Sequence, residues 1–311
     1  MGLFDLITVG HFSIDFIISP KIAVPRPTLG GSPTYTSLTA RRLGARVSVI
    51  SKIGEDFPLE YMKRLEENGI DLSAVKRING ALTTRFVLTY SNNDRWLRLG
   101  SRAPTIEAED IPDSLKSKAV HVAPIANEIS QGAFKKLHSL GDILSMDPQG
   151  FLRVFDAEGN TRLEKMRDHR VLEGINIYKS SRDEIEAATG TSNLISAIRR
   201  IHKYGAEIVI VTQGIEGSML SYRERVYSIP ACKPKKVEDP TGAGDAFIGA
   251  FLAEYIKGRD PLWCASVGSA AASFIVEGLG PSRFGSKEEI YERADKTYRE
   301  VTELHPEASK G

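Results

Sequence analysis

The stretch from residue 239 to 245 combines residue types that could transfer an anionic group. It reads Asp-Pro-Thr-Gly-Ala-Gly-Asp. Gly242 and Gly244 have no Cβ atom, so the backbone N–H groups around them can close on an oxyanion. The apolar spacing that follows predicts a helix over about 242–257, whose positive end points at the same place. The pattern therefore predicts an anion hole formed by Gly242, Ala243 and Gly244.

Asp245 would lie in the first turn of that helix. There the helix dipole favours the ionised carboxylate, which is the form that can accept a proton from a substrate hydroxyl. A simpler alternative is a helix capped by Asp239 with Pro240 in its first position, an arrangement common in α/β proteins. In that alternative the segment is structural.

The same segment closely resembles the signature of the ribokinase-like (PfkB) family of carbohydrate kinases, normally Asp-Thr-x-Gly-Ala-Gly-Asp. Asp239, Thr241 and Asp245 match it together with the Gly-Ala-Gly run, and Pro240 precedes the Thr. In that family the last Asp is the catalytic base and the Gly-Ala-Gly amides form the anion hole. The resemblance therefore implies a kinase that uses ATP and Mg²⁺ and phosphorylates a hydroxyl of a small polyol, sugar or nucleoside.

Composition excludes several other classes of protein. The 41 basic residues are balanced by 40 acidic ones, which removes the electrostatic case for nucleic acid or an anionic membrane as partner. There is no apolar run near 18 residues and no signal-peptide pattern, so we expect a soluble, cytoplasmic protein. Cys232 and Cys264 lack the spacing of a zinc site or a disulfide framework. The expected partner is a small molecule.

Strand-like and helical segments alternate along the chain, which predicts an α/β fold. Strand-like runs at 119–123, 143–146, 174–179 and 207–212 are separated by helical patterns such as 129–140 and 194–204. Such alternation indicates a parallel sheet with crossover helices. With no low-complexity linker, we expect one domain over residues 1–311. The family resemblance implies a three-layer sandwich around a central, mostly parallel sheet.

Two segments, 12–29 and 82–99, depart from this alternation. Both are rich in residues that favour strands, and both lack the helical period. They could be edge strands of the main sheet or a small β-sheet lid over its carboxyl edge. The family has such a lid, so the resemblance favours the second alternative. It also leaves open a homodimer formed through the lid.

Further candidates for substrate binding lie near the N-terminus. Asp15 follows the first strand-like run, and a carboxylate can accept two hydroxyl donors at once, which suits a polyol. Gly30 and Gly31 precede the helical stretch 34–43 and resemble the lid hinge of the family. The structural alternatives are a solvated turn acid and an ordinary turn before a helix. Tyr35 replaces the Asn that the family usually has, so we expect a substrate other than ribose.

The resemblance also supplies candidates for the metal and the nucleotide. Glu184 matches the Glu of the family's Asn-x-x-Glu motif, which arranges magnesium-bound water, so we predict that it holds a metal through water. It could equally be an exposed acid in the first turn of a helix. The predicted nucleotide-binding residues are Ser181, Thr212, Gly214, Gly217, Ala271 and Gly278. The alanine-rich helix that contains Ala271 could equally pack against another helix. A P-loop kinase is excluded, because Gly-x-x-x-x-Gly-Lys-Ser/Thr does not occur.

Finer features favour a cyclitol as the substrate. Asn127 and Gln149 follow strand-like runs, where α/β folds place ligand contacts, and we predict that both bind substrate. Together with Tyr35 and the lid segment, they look most like the inositol kinase branch, so the best prediction is phosphorylation of myo-inositol.

Other functions are weighed against this one. A nucleoside or sugar-phosphate kinase of the same family is the alternative, and Arg98 and Arg102 could then grip a substrate phosphate. A nucleotide-binding regulator without catalysis is disfavoured by Asp245, since an inactive relative could lose that base freely. A dinucleotide-dependent oxidoreductase would need Gly-x-Gly-x-x-Gly after the first strand, and the sequence lacks it there.

Overall fold

Seventeen strands and nine α-helices occupy the residues described by the computed structural model, which are 3–18, 25–91 and 94–305. The strands are β1 (Phe4–Val9), β2 (Ser13–Ile18), β3 (Pro27–Gly30), β4 (Val47–Gly54), β5 (Ile70–Asp71), β6 (Val75–Ile78), β7 (Thr84–Ser91), β8 (Asp94–Ser101), β9 (Ser117–Val122), β10 (Gly141–Met146), β11 (Arg153–Phe155), β12 (Thr161–Leu163), β13 (Ile177–Ser181), β14 (Ile208–Thr212), β15 (Ser218–Tyr222), β16 (Arg225–Ile229) and β17 (Thr302–Leu304). The helices are α1 (Ser32–Arg42), α2 (Leu59–Glu67), α3 (Gln131–Leu137), α4 (Gln149–Leu152), α5 (Arg182–Thr189), α6 (Leu194–Lys203), α7 (Ala243–Tyr255), α8 (Pro261–Ile275) and α9 (Lys287–Arg299). Within these ranges, every strand and helix predicted between residues 119 and 257 is present.

One large sheet of eleven strands forms the centre of the molecule. Its order is β17-β16-β15-β14-β13-β10-β9-β1-β4-β5, and β6 also pairs with β4. The pairs from β14 to β5 are parallel, whereas β14 to β17 form an antiparallel extension. The predicted α/β fold with a central, mostly parallel sheet is confirmed.

Helices cover both faces of the large sheet and give three layers. Successive strand residues point to opposite faces, so Ile208 and Ile210 face α1, α7, α8 and α9, whereas Val209 and Val211 face α3, α5 and α6. Because both faces are buried, the strands are continuous apolar runs, as is typical of a parallel sheet. Among the helices of the described residues, none combines the length and apolar character needed to cross a membrane.

The two segments that departed from the alternation form a separate sheet. Its order is β3-β2-β7-β8, so the edge-strand alternative is wrong. The apolar side chains of Phe86 and Leu88 pack with Ile125 from the loop after β9. Residues 19–24 and 92–93 belong to the predicted segments but lie outside the described residues.

Gly249 in α7 lets α1 and α7 pack closely together. A Cβ atom on Gly249 would lie 2.4 Å from the carbonyl oxygen of Thr36 in α1. Real Cβ atoms do not come so close to backbone, so the spacing of the two helices depends on this glycine.

We therefore expect Gly249→Ala to lower the free energy of unfolding by about 1–3 kcal/mol, because the two helices must separate. The matched control is Gly132→Ala in α3, where the new Cβ would meet its nearest neighbour at 3.7 Å, an ordinary contact. Removing a helical glycine should there be neutral or stabilise by up to about 1 kcal/mol. Urea denaturation of both variants measures the difference, and equal stabilities would contradict the close helix contact.

Candidate active site

A cavity of about 510 Å³ lies at the carboxyl edge of the parallel strands. The N-terminus of α7 lines it, and so do the apolar side chains of Phe86, Leu88 and Leu97 from the small sheet. This volume is within the range of pockets that hold small molecules. The position agrees with the rule that α/β sheets bind ligands beyond the carboxyl ends of their strands.

The turn before α7 lines the cavity with backbone. Gly242 is the N-cap of α7 with φ 79°, a conformation that favours glycine. A Cβ atom on Gly242 would lie 2.3 Å from the ring of Tyr35, and one on Gly244 would lie 2.7 Å from the Nζ of Lys179. The first N–H groups of a helix have no partner within the helix. The N–H of Ala243 donates to the carbonyl oxygen of Pro240 at 3.2 Å, so it could serve an anion only as a shared donor. With that exception, the turn can present N–H groups to an anion.

Asp239 does not cap α7, so the simpler structural alternative is wrong. Its buried carboxylate instead holds the turn in shape. Oδ1 accepts the N–H of Thr241 at 2.9 Å and the hydroxyl of Tyr90 at 3.0 Å, and Oδ2 accepts the N–H of Gly280 at 3.0 Å. Tyr90 also lies 2.7 Å from the hydroxyl of Thr241. Strand β7 of the small sheet is thereby tied to the anion-binding turn.

Asp245 lies half-buried in the first turn of α7 and faces the cavity. The Nε2 of Gln149 donates to Oδ1 of Asp245 at 3.4 Å and to the hydroxyl of Ser32 at 2.8 Å. Burial raises the pKa of Asp245 above its ordinary value, and the positive charge of Lys179 opposes that rise. A carboxylate with raised proton affinity, open to a ligand cavity, can act as a general base.

A buried ion pair lies beneath the turn. The Nζ of Lys179 is 2.6 Å from the Oδ2 of Asp147, and both side chains are almost fully buried. Burial on its own would lower the pKa of Lys179, but the carboxylates of Asp147 and Asp245 hold it above its usual value. Lys179 therefore stays charged beneath the backbone of Gly244. Sequence analysis missed this residue, although its place near the end of a predicted strand was a usable signal.

Most of the predicted site residues meet in this cavity. Besides Asp245 and the turn, its lining includes Asp15, Gly31, Tyr35, Gln149, Ser181, Glu184, Thr212, Gly214 and Gly217. Asp15 is 5% exposed and its Oδ1 accepts the hydroxyl of Ser13 at 2.6 Å, so it is not a solvated turn acid. Gln149 contacts Asp245, which the sequence did not indicate.

Four predicted contacts lie outside the cavity lining. Gly30 lies against the carboxylate of Asp15. Asn127 has φ 56° and an exposed side chain, because the chain turns outward there while Glu128 is buried behind it. Ala271 packs into the core, and Gly278 lies against Ser282 and Arg283. Contact of these four residues with ligand therefore stays a prediction, and none of them lines the cavity itself.

The position of Ala271 in the core is a matter of helix phase. Its neighbour Ala272 lines the cavity, together with Ser273 and Val276. Adjacent helix residues point about 100° apart, so an error of one residue exchanges a ligand contact for a core contact. Val237 and residues of the β14–β15 turn line the same cavity.

Glu184 lies in the first turn of α5, and it also lines the cavity where a metal could be held. Its Oε2 accepts the N–H of Ser181 at 2.7 Å and the hydroxyl of Ser181 at 2.8 Å, a capping box at the start of α5, and the side chain also lines the cavity. Within the described residues, no group of three or more His, Cys, Asp or Glu side chains could hold a metal ion directly. Mg²⁺ retains several waters in proteins, so the carboxylates of Glu184 and Asp147 fit a water-bridged ion.

Tyr35 is buried beneath the anion-binding turn. It is 1% exposed, and its hydroxyl has no hydrogen-bond partner among the residues that the structure describes. Burial raises the pKa of Tyr35 well above its ordinary value, so the phenol stays protonated. Its ring supports Gly242 from below, which is a structural role that the sequence did not suggest.

The comparisons with known proteins agree with this geometry. The family model of the pfkB family carbohydrate kinases matches residues 4–287. The nucleoside kinase of Methanothermobacter thermautotrophicus is 33% identical over 291 residues, covering 89% of this chain and 90% of that protein. The cytidine kinase of Thermococcus kodakarensis is 29% identical over 286 residues, covering 89% of this chain and 98% of that protein.

A solved structure shares the fold. A pyrophosphate-dependent kinase in the ribokinase family, complexed with a pyrophosphate analog and myo-inositol, has a TM-score of 0.79 and 24% sequence identity, covering 92% of this chain and 99% of that chain. The predicted phosphotransferase activity with a sugar or nucleoside hydroxyl as acceptor is confirmed by the family match and the named relatives. Because that match extends over nearly the whole length, the chain belongs to the pfkB family of carbohydrate kinases.

Proposed function

We propose that this chain transfers the terminal phosphoryl group of ATP to a ribose hydroxyl of a nucleoside. The observation that carries the nucleoside is the apolar wall that Phe86, Leu88, Leu97 and Ile125, which pack together, contribute to the cavity that the anion-binding turn also lines. A nucleobase has flat faces that can cover such a wall, and the ribose carries the hydroxyls. The names of two similar relatives, a nucleoside kinase and a cytidine kinase, support the same acceptor.

Asp15 is proposed to bind the ribose. Its carboxylate can accept two hydroxyl donors, and the hydroxyl of Ser13 fixes its orientation at 2.6 Å. Gly31, with φ 88°, passes so close to His11 that a Cβ atom would lie 2.3 Å from the His11 carbonyl oxygen. A glycine is therefore required beside Asp15, and the same backbone freedom suits a hinge for the small sheet.

The proposed chemistry rests on the turn and the residues around it. Asp245 accepts the proton of the attacking hydroxyl, while Gln149 holds the carboxylate in place. The N–H groups of Gly242, Ala243 and Gly244 receive the negative charge of the phosphoryl group in transfer, with that of Ala243 shared with the carbonyl oxygen of Pro240. The charge of Lys179 lies beneath Gly244. Mg²⁺, when bound, neutralises charge on the phosphate oxygens.

The nucleotide is proposed to bind at the other end of the cavity. Thr212 ends β14, and Gly214 and Gly217 belong to the turn that follows it. Ala272 and Val276 of α8 offer a flat apolar surface for the adenine. Ser181 would contact phosphate, and the carboxylate of Glu184 would hold the water shell of the metal.

The choice of acceptor is tested by measuring kcat/KM for cytidine, adenosine, a phosphorylated pentose and myo-inositol. We expect a nucleoside to exceed myo-inositol by at least about tenfold, because a cyclitol cannot cover the apolar wall. Leu97→Gln should lower kcat/KM for the nucleoside by about tenfold. Leu99→Gln is the matched control, since Leu99 is half-buried on the same strand but does not line the cavity. If the wild type prefers myo-inositol, the acceptor is the cyclitol predicted from the sequence and the nucleoside proposal is wrong.

The role of Asp245 is tested by Asp245→Asn. This variant should reduce kcat by about 10²–10⁴-fold, because the amide cannot accept the proton. Nucleotide affinity should remain within about tenfold, since the anion-binding groups are backbone N–H groups. Single-turnover kinetics and equilibrium binding measure the two effects. A variant that retains more than about a tenth of the wild-type kcat would remove Asp245 from the mechanism.

Arg153 provides a test of the protonation state. Its charge lowers the pKa of Asp245, and its guanidinium donates to Oε1 of Gln149. The base works when ionised, so activity is lost as the pH falls through its pKa, and Arg153→Gln should move this acid limb of kcat/KM to higher pH. The control is Arg162→Gln on the adjacent strand β12, which removes the same charge from an exposed side chain. It should leave the acid limb in place. An unmoved limb in Arg153→Gln would show that another group controls the profile.

A further inference from the structure

A second cavity, of about 360 Å³, lies between α1, α2 and the segment that follows α8. It shares no lining residue with the active-site cavity. The side chains of Arg42, Arg64 and Arg283 converge on it from three different elements, and Ser282 adds a hydroxyl. We refer to it as the arginine cavity.

The charges of the arginine cavity do not cancel. Three arginines line it and only one acid, Glu289, does so. The Oε2 of Glu289 is already engaged, because it accepts the N–H of Ser286 at 2.8 Å in the capping box of α9. The lining is therefore positive on balance, with three guanidinium groups against the one carboxylate of Glu289.

The arginines have N–H donors left for a ligand. Arg64 donates to the carbonyl oxygen of Pro281, and the Nε of Arg283 lies 2.8 Å from the Oε2 of Glu277. Each guanidinium has five N–H donors, so most remain. Arg42 has neither a hydrogen bond nor an ion pair with any residue that the structure describes. The cavity thus collects three planar donor groups around an open volume.

A purely structural explanation accounts for part of this arrangement. Arg42 lies in the last turn of α1, where a positive charge stabilises the helix dipole. Arg64 braces the loop at Pro281. Neither role requires that both side chains line the same cavity as Arg283, and convergence of several guanidinium groups is the arrangement that binds phosphate.

We propose that the arginine cavity is a binding site for the phosphate group of a small molecule, separate from the active site. Guanidinium groups match the oxygens of phosphate in pairs, and Ser282 can donate to a further oxygen. The volume exceeds what a single phosphate ion needs, and it falls in the range of pockets for small organic ligands. Binding of phosphate at this site does not depend on which acceptor the kinase phosphorylates.

The test is equilibrium dialysis of radiolabelled inorganic phosphate against the wild type, Arg42→Gln and Arg41→Gln. Arg41 is the matched control, because it is exposed on the same helix, carries the same charge and directs its guanidinium to the carbonyl oxygen of Ala45 instead of the cavity. The active-site turn is intact in all three proteins, so phosphate bound there contributes equally. Thermal denaturation checks that all of them are folded.

We expect the wild type and Arg41→Gln to bind one phosphate in the arginine cavity. Arg42→Gln should bind this phosphate at least threefold more weakly, since a charged donor is lost. Ser282→Glu keeps all three arginines but adds a carboxylate at the cavity, and it should weaken the same phosphate at least threefold. A smaller change in either variant overturns the proposal. Because binding is measured without turnover, this result is independent of the substrate and of the proposed kinase mechanism.

Discussion

The buried carboxylate of Asp239 joins the parts of the molecule on which the active site depends. One oxygen fixes the turn before α7 through Thr241 and receives the hydroxyl of Tyr90 from the small sheet, while the other receives the N–H of Gly280 after α8. An unpaired buried carboxylate is costly, so the three donors and the acid stabilise one another. The turn therefore has its shape before any ligand arrives, and preorganised N–H groups stabilise charge without a cost of reorganisation.

A second constraint is the balance of charge beneath the turn. The negative charges of Asp147 and Asp245 would repel each other in a site that excludes water. Lys179 offsets this repulsion, because it pairs with Asp147 at 2.6 Å and is also attracted by the charge of Asp245. Removing one member of a buried ion pair typically costs about 3–5 kcal/mol. Lys179 has a further effect, because its positive charge limits the rise in the pKa of Asp245. Stability of the fold and protonation of the base thus depend on the same ammonium group.

Local patterns predicted the parts of the site that are local in the chain. The glycine turn, Asp245 and the start of α7 are contiguous, so residue types and spacing sufficed for them. Tyr90 and Asp239 are separated by 149 residues, and nothing in either segment indicates their contact. Side-chain direction is also hard to read from the sequence. A single sequence does not fix helix phase well enough to place Ala272 in the cavity lining before Ala271, and the outward turn at Asn127 depends on its positive φ. The alternating strands and helices were predicted well, because burial on both sheet faces leaves a strong apolar signal.

In the proposed function, the residues that carry the reaction and those that choose the substrate lie in different parts of the fold. The turn, Asp245 and Lys179 belong to the large α/β layers, where packing on both sides leaves little freedom for change. The wall proposed to meet the acceptor comes from β7 and β8 of the small sheet and from Ile125 after β9. Substitutions of its apolar side chains would alter the cavity, whereas Tyr90 on β7 also donates to Asp239 and so supports the turn. The same base and anion-binding turn can therefore serve different hydroxyl acceptors, and the acceptor must be inferred from the small sheet, whose apolar side chains favour a ligand with a flat face.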